Sequence, residues 1–152
     1  MKKDITINII CGLFIFLFVY ASIAKLLEFH SFKAVLSQSP LIAGYAMIIA
    51  LLLPFAEIGI AVLLLFPSMR RIGLYASFVF LLLFTGYIAY MIVFTPHLPC
   101  SCGGVIKQMS WLQHLVFNIA WILLALIGIW LTECDHANTS GVQKGVDYIG
   151  IK

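Results

Sequence analysis

Charge is scarce in this chain. Only 10% of its 152 residues are Asp, Glu, Lys or Arg, against 63% hydrophobic, and the net charge is +3. The scarcity excludes an ordinary soluble domain, because no interior of this size hides so much apolar surface and lipid must be the solvent for most of it. A net charge this small and scattered gives no footprint for nucleic acid. No polar segment is long enough to form a soluble catalytic domain, which argues against chemistry on a large polar substrate. Repeats, low-complexity tracts and interdomain linkers are missing too. The chain reads as one membrane domain over residues 1–132 followed by a tail, 133–152, which has no apolar period and is expected to be flexible.

What the chain does have is long apolar runs. A helix needs about 20 apolar residues to span a bilayer, and residues Ile5 to Leu27, Leu41 to Phe66, Ile72 to Phe94 and Trp111 to Thr132 each supply them. They must be helices, since lipid offers no partners to open backbone groups. The fold class expected is therefore all-α, a four-helix transmembrane bundle. Between the first two spans, Phe29, Phe32, Val35 and Leu36 recur at near-helical spacing, which predicts a short interfacial helix ended by Pro40. The opening, with Lys2 and Lys3 before an apolar core and Ser22 and Ala24 after it, has the layout of a secretory signal. Lys25 continues that helix without a break, so an uncleaved first span is expected.

Positive residues mark the cytoplasmic side of a membrane protein. Lys2 and Lys3, Arg70 and Arg71 in the second connection, and Lys144 and Lys152 in the tail fall on one side; the other two connections hold only Lys33 and Lys107. This places both termini in the cytoplasm of a bacterial inner membrane and the connection "PHLPCSCGGVIKQMS" in the periplasm, where disulfides form and exchange.

That connection carries Cys100 and Cys102, one residue apart, beside Gly103 and Gly104. A disulfide between them would close almost no loop, so it would add little stability. It would also be strained, which favours exchange. Ser110 and Gln113 form a capping box that starts the last span and points its positive dipole end at the cysteines, favouring the attacking thiolate. Lys107 and His97 add to that. Two other readings of the pair stand beside redox chemistry. One is an inert local disulfide. The other is a copper(I) or zinc site built from His97, Cys100 and Cys102 with His30 or His114, although Cys-x-Cys is tighter than the usual zinc spacing.

Polar residues inside the spans are the remaining candidates, because an ionisable group at mid-bilayer is expensive and usually faces the bundle interior. Glu57, three residues after Pro54, is either a proton-handling or cofactor-contacting group or a carboxyl that fixes helix packing. Lys25 either snorkels to the interface or lines a pocket below the cysteines, with Glu28 or Glu57 as partner; by helical rise alone Glu57 lies too deep for the pair to be assigned. Trp111, His114, Asn118, Trp121 and Ala125 share one face of the last span, where they hold either a quinone head group or neighbouring helices. Thr85, Tyr87 and Tyr90 stand at comparable depth. Gly59, Gly73, Gly86 and Gly128 are expected to permit close helix contact. Cys11 and Cys134 lie toward the cytoplasmic side, as unrelated thiols or as a second redox pair.

Taken in order, "YASIAKLLEFHSF", "LLPFAEIGIAVLLLF", "RRIGLYASFVFLLLFTGYIAY" and "PCSCGG" resemble the MauE/DoxX-like family of redox-associated membrane proteins, over residues 5–131. The resemblance implies a four-helix membrane bundle. Methylamine-utilisation members of that family are implicated in maturing a disulfide-rich periplasmic dehydrogenase subunit, and other DoxX-like members are linked to thiosulfate–quinone oxidoreduction. On this resemblance Cys100 and Cys102 fall on the family's cysteine pair, Glu57 on its membrane acid and Lys25 on its first-span lysine.

The expectation is a membrane thiol–disulfide redox protein. Cys100 and Cys102 would be the catalytic residues, exchanging with a periplasmic thioredoxin-like protein or a disulfide-containing client. Lys25, Glu57, Tyr87, His114 and Asn118 would bound a quinone site. The competing class is a non-enzymatic maturation subunit that holds a partner or copper through the same cysteines.

Overall fold

The computed structural model describes the backbone of residues 2–38, 42–94 and 111–149, and side chains within 4–38, 42–94 and 112–134. Five α-helices follow in order: α1, Lys2–Leu27; α2, Phe29–Ser37; α3, Ala46–Leu65; α4, Arg70–Phe94; and α5, Trp111–Ile149. Short 3₁₀ turns, Ala43–Tyr45 and Pro67–Met69, lead into α3 and α4. No strand occurs among the described residues. Among the described residues four segments are long and apolar enough to cross a membrane: Asp4–Leu27, Ala43–Leu65, Pro67–Phe94 and Leu112–Cys134. The fold is the expected four-helix transmembrane bundle with a short additional helix.

These helices are apolar on every side, and the outward faces show the solvent they are made for. Phe16, Leu27, Leu83 and Val93 are all at least 70% exposed, an arrangement that is stable only where lipid covers them. The inward faces form a core of Phe14, Phe18, Leu64, Leu74, Leu81 and Ala125. Phe14 meets the Trp121 ring edge-on at 5.0 Å and Phe18 meets Phe80 at 5.7 Å. Gly73 permits one of the tightest helix contacts, since a Cβ there would stand 2.8 Å from Leu64 Cδ2. Gly128 does the same for Ile10 and Leu74, at 3.2 Å from each. Gly59 and Gly86 differ from expectation: no atom of the described residues lies within 4 Å of a Cβ at either, so neither serves a close contact between the described helices.

Three buried hydroxyls are satisfied within their own helices, which spares them an unmet partner in a medium without water. Ser22 donates to the Val19 carbonyl, Ser77 to that of Gly73, and Thr132 to those of Gly128 and Ile129. At the end of the bundle where α1 begins and α3 turns into α4, polar side chains tie the elements together. Arg70 donates to Asn8, and Arg71 Nη2 pairs with Glu133 Oε1 at 2.6 Å. Beyond Glu133, in the segment expected from the sequence to be a flexible tail, the backbone is helical to Ile149.

The opposite end is built differently. α2 buries Phe32, Val35 and Leu36, and Phe32 and Leu36 pack on Ala46 and Ala50 in the first turns of α3. The pair α1–α2 therefore flanks α3 along its length, with α1 ending well short of the level at which α3 begins. This arrangement sets the depth of the site.

Candidate functional site

Lys25 lies in the last turn of α1 and Glu57 in the middle of α3, and their side chains meet: Lys25 Nζ donates to Glu57 Oε1 at 2.6 Å, with the two side chains 10% and 5% exposed. Glu57 is 11 residues into α3, about 16 Å below its first residue, which is why rise alone seemed to forbid the pair. Because α1 stops early and α2 continues the wall beside α3, the lysine starts close to the carboxylate's level. Its ammonium also lies 6.0 Å from the Phe32 ring centroid and 5.8 Å from that of Phe84. Two aromatic faces and one carboxylate oxygen thus compensate a cation taken out of water.

α5 brings two more polar groups to the same place. His114 is 6% and Asn118 3% exposed, one turn apart on the buried face, which continues through Trp121 and Ala125 as the spacing predicts. The His114 ring stands 5.7 Å from Phe84. Lys25, Glu57, His114 and Asn118 all line one cavity of about 40 Å³, closed by Phe18, Leu81 and Phe117 among others. Two of these residues carry a buried polar atom with no hydrogen-bond partner among the described residues: Glu57 Oε2, an acceptor, and Asn118 Nδ2, a donor.

Tyr87 is not in this cavity. It lines a second, larger one of about 260 Å³ between α2, α3 and α4, with Phe32, Leu36, Leu53 and Ile88. Apart from Tyr87 its lining is apolar. Phe80 and Phe84 border both cavities, so the five residues expected around one site are divided four to one by an aromatic partition. Sequence reasoning missed Phe80 and Phe84 as site residues, since they look like any other apolar span residues, and read Phe32 only as part of the apolar face of the short helix. The Lys25–Glu57 pair did leave a signal: each is the lone charged residue of its apolar run, Ile5 to Leu27 and Leu41 to Phe66.

Cys100 and Cys102 lie outside the described residues, as do His97, Lys107 and Ser110. They belong to the chain that leaves α4 after Phe94 and enters α5 at Trp111. His114 is three residues into α5, about 4.5 Å along the helix, so the cavity lies just beneath the end of the bundle that carries them. Among the described residues no group of three His, Cys, Asp or Glu side chains is arranged to hold a metal. Cys11 is buried in the core and Cys134 half-buried, and neither is in a disulfide.

A family model described as Methylamine utilisation protein MauE matches residues 3–131. The chain belongs to the MauE family. The match takes in the first three spans, most of the fourth and the lining of both cavities, and ends within α5, just before Thr132. Comparisons with curated proteins and with solved structures gave no match. The MauE family is thus the relationship on which a functional reading of this multi-pass membrane protein can draw.

Proposed function

We propose that this MauE-family protein is a membrane thiol–disulfide redox protein, in which Cys100 and Cys102 exchange with a periplasmic thioredoxin-like protein or secreted client and pass the electron pair to a membrane quinone. The observation that carries the reading is the pairing of cavities beneath the cysteine-bearing end: an apolar one of about 260 Å³ beside a polar one with an unpartnered acceptor and donor. An apolar chamber with a few convergent polar groups is the usual form of a small-molecule site. A quinone is such a molecule, with a ring and isoprenoid tail for the apolar chamber and carbonyls for Tyr87 or, past Phe84, Asn118.

The chemistry balances in two steps. A client dithiol attacks the Cys100–Cys102 disulfide through a mixed disulfide; the client leaves oxidised and the pair leaves as dithiol. The dithiol then gives two electrons and two protons to the quinone, yielding quinol and restoring the disulfide. The distribution of Lys2, Lys3, Arg70 and Arg71 supports a cytoplasmic placement for the end that holds the Arg70–Asn8 and Arg71–Glu133 contacts. The cysteines then face the periplasm.

Thiol trapping in intact cells with a membrane-impermeant maleimide, before and after a reducing pulse, tests the proposal. Rapid reoxidation of Cys100 and Cys102 that stops on quinone depletion is the expected result. Cysteines that stay reduced, together with stoichiometric copper lost in a Cys100→Ser/Cys102→Ser variant, would replace it with the maturation-subunit reading.

A further inference from the structure

The smaller cavity asks for an occupant of its own. Glu57 Oε2 and Asn118 Nδ2 each sit on a residue only 3% exposed, and neither has a partner among the described residues. A buried polar atom left unsatisfied costs about 1–3 kcal/mol, and the two residues that carry these atoms line the same small cavity, where water is the partner at hand. The space suffices: a water needs roughly 10–15 Å³ measured in this way and two to four polar partners, and about 40 Å³ is present with Lys25, Glu57, His114 and Asn118 around it.

The surroundings make this water one-sided. Toward the cysteine-bearing end, His114 is a single turn from the start of α5. Toward the other end the path is closed. Phe14, Leu74 and Ala125 are fully buried, with Phe18 and Leu64 nearly so. The one buried hydroxyl at that level of α4, Ser77, is committed to the Gly73 carbonyl. On α5 the next buried polar side chain after Asn118 is Thr132, 14 residues on, about 21 Å along the helix.

We propose that the Lys25–Glu57–His114–Asn118 cavity is a hydrated proton-holding site that exchanges protons only with the cysteine-bearing side of the membrane. Water bridges Glu57 Oε2 and Asn118 Nδ2, and a proton moves between the Glu57 carboxylate and the water, with His114 as the next group outward. The charged and titratable groups facing Glu57 are Lys25 from α1 and His114 from α5; α4 contributes only apolar lining, and Glu28 does not line the cavity. Hydration and sidedness stand without the redox reading. Only the use of the site, to hold protons released by the dithiol until the quinone takes them, rests on that reading.

The test is infrared spectroscopy of the whole protein in lipid vesicles with known orientation. A carboxyl band that titrates, shifts in D₂O and disappears in Glu57→Gln is expected, following the pH on the cysteine-bearing side and not that on the other. A pH dye trapped inside the vesicles should report no protein-dependent proton flux. Asn118→Leu, which removes the donor and fills the space, should slow deuterium exchange of the band at least tenfold. A Glu57 band that never exchanges in the folded wild-type protein, one that follows the opposite side, or measurable flux would overturn the proposal. The Cys100→Ser/Cys102→Ser variant should keep the band while losing thiol oxidation, so failure of the proton site and failure of the redox reading are read separately.

Discussion

Removing Lys25 or Glu57 singly, and then both together, is the sharpest probe of the bundle. The pair is joined at 2.6 Å with side chains 10% and 5% exposed, so it is not a surface ion pair worth about 0–1 kcal/mol. Deleting one partner of a buried pair leaves the other uncompensated and costs about 3–5 kcal/mol. Two features pull Lys25→Met and Glu57→Leu toward the lower end of that range. A stranded Glu57 can take up a proton, and a stranded Lys25, two residues from the end of α1, can redirect its ammonium outward. The double variant Lys25→Met/Glu57→Leu removes both charges and keeps the volume, so it should lie within about 1 kcal/mol of wild type or be more stable. With single losses of about 3 kcal/mol each, the interaction term of the cycle is then about 5 kcal/mol or more in magnitude, well above the ~0.5 kcal/mol within which independent sites add. Reversible unfolding in mixed micelles with denaturant would measure it. A double variant as unstable as the sum of the two single ones would refute the view that the charges stabilise each other rather than serve separate partners.

Other expectations follow from the packing. Gly73→Ala places a methyl 2.8 Å from Leu64 Cδ2 and should destabilise by about 1–3 kcal/mol, whereas Gly59→Ala, in open space, should be neutral or stabilising by up to ~1 kcal/mol through helix propensity; thermal unfolding of the two side by side checks this. Phe14→Ala empties a fully buried position between Phe18 and Trp121 and should cost about 3–5 kcal/mol in the same assay. Arg71→Ala breaks an ion pair whose side chains are 50% and 38% exposed and should change stability by less than about 1 kcal/mol. Tyr87→Phe and Phe84→Ala should alter quinone-dependent reoxidation of Cys100 and Cys102 while leaving thiol exchange with a soluble dithiol unchanged, as measured by thiol trapping.

Much of this architecture was legible because its causes are local or compositional. Span number and helical form follow from apolar runs in a chain with so few charges. The buried face of α5 follows from the spacing of His114, Asn118 and Ala125, and the amphipathic α2 from Phe32, Val35 and Leu36. The level at which helices stand relative to one another is not local. Lys25 and Glu57 meet because α1 ends early and α2 completes its wall, a fact about three elements that no single periodicity contains. The same holds for Phe84, whose role as partition depends on what α1, α2 and α5 bring to either side of it. Gly59 and Gly86 mark the converse limit, since a small residue in a span permits close approach without saying that a neighbour uses it.

The Lys25–Glu57 contact also bears on how the chain enters the membrane. Both residues belong to the first half of the chain, on α1 and α3, so their contact can form before α4 and α5 have been synthesised. An acidic residue at the centre of a span adds about 2.5–3.5 kcal/mol to its insertion, and α3 carries one with no other charge to share the burden. A first span already in place, with its lysine waiting at the right depth, supplies the missing counter-charge as α3 arrives. Separated from α1, the α3 segment should insert less readily than its mean hydropathy suggests, and the order of the two spans along the chain is part of what makes the second one a membrane helix.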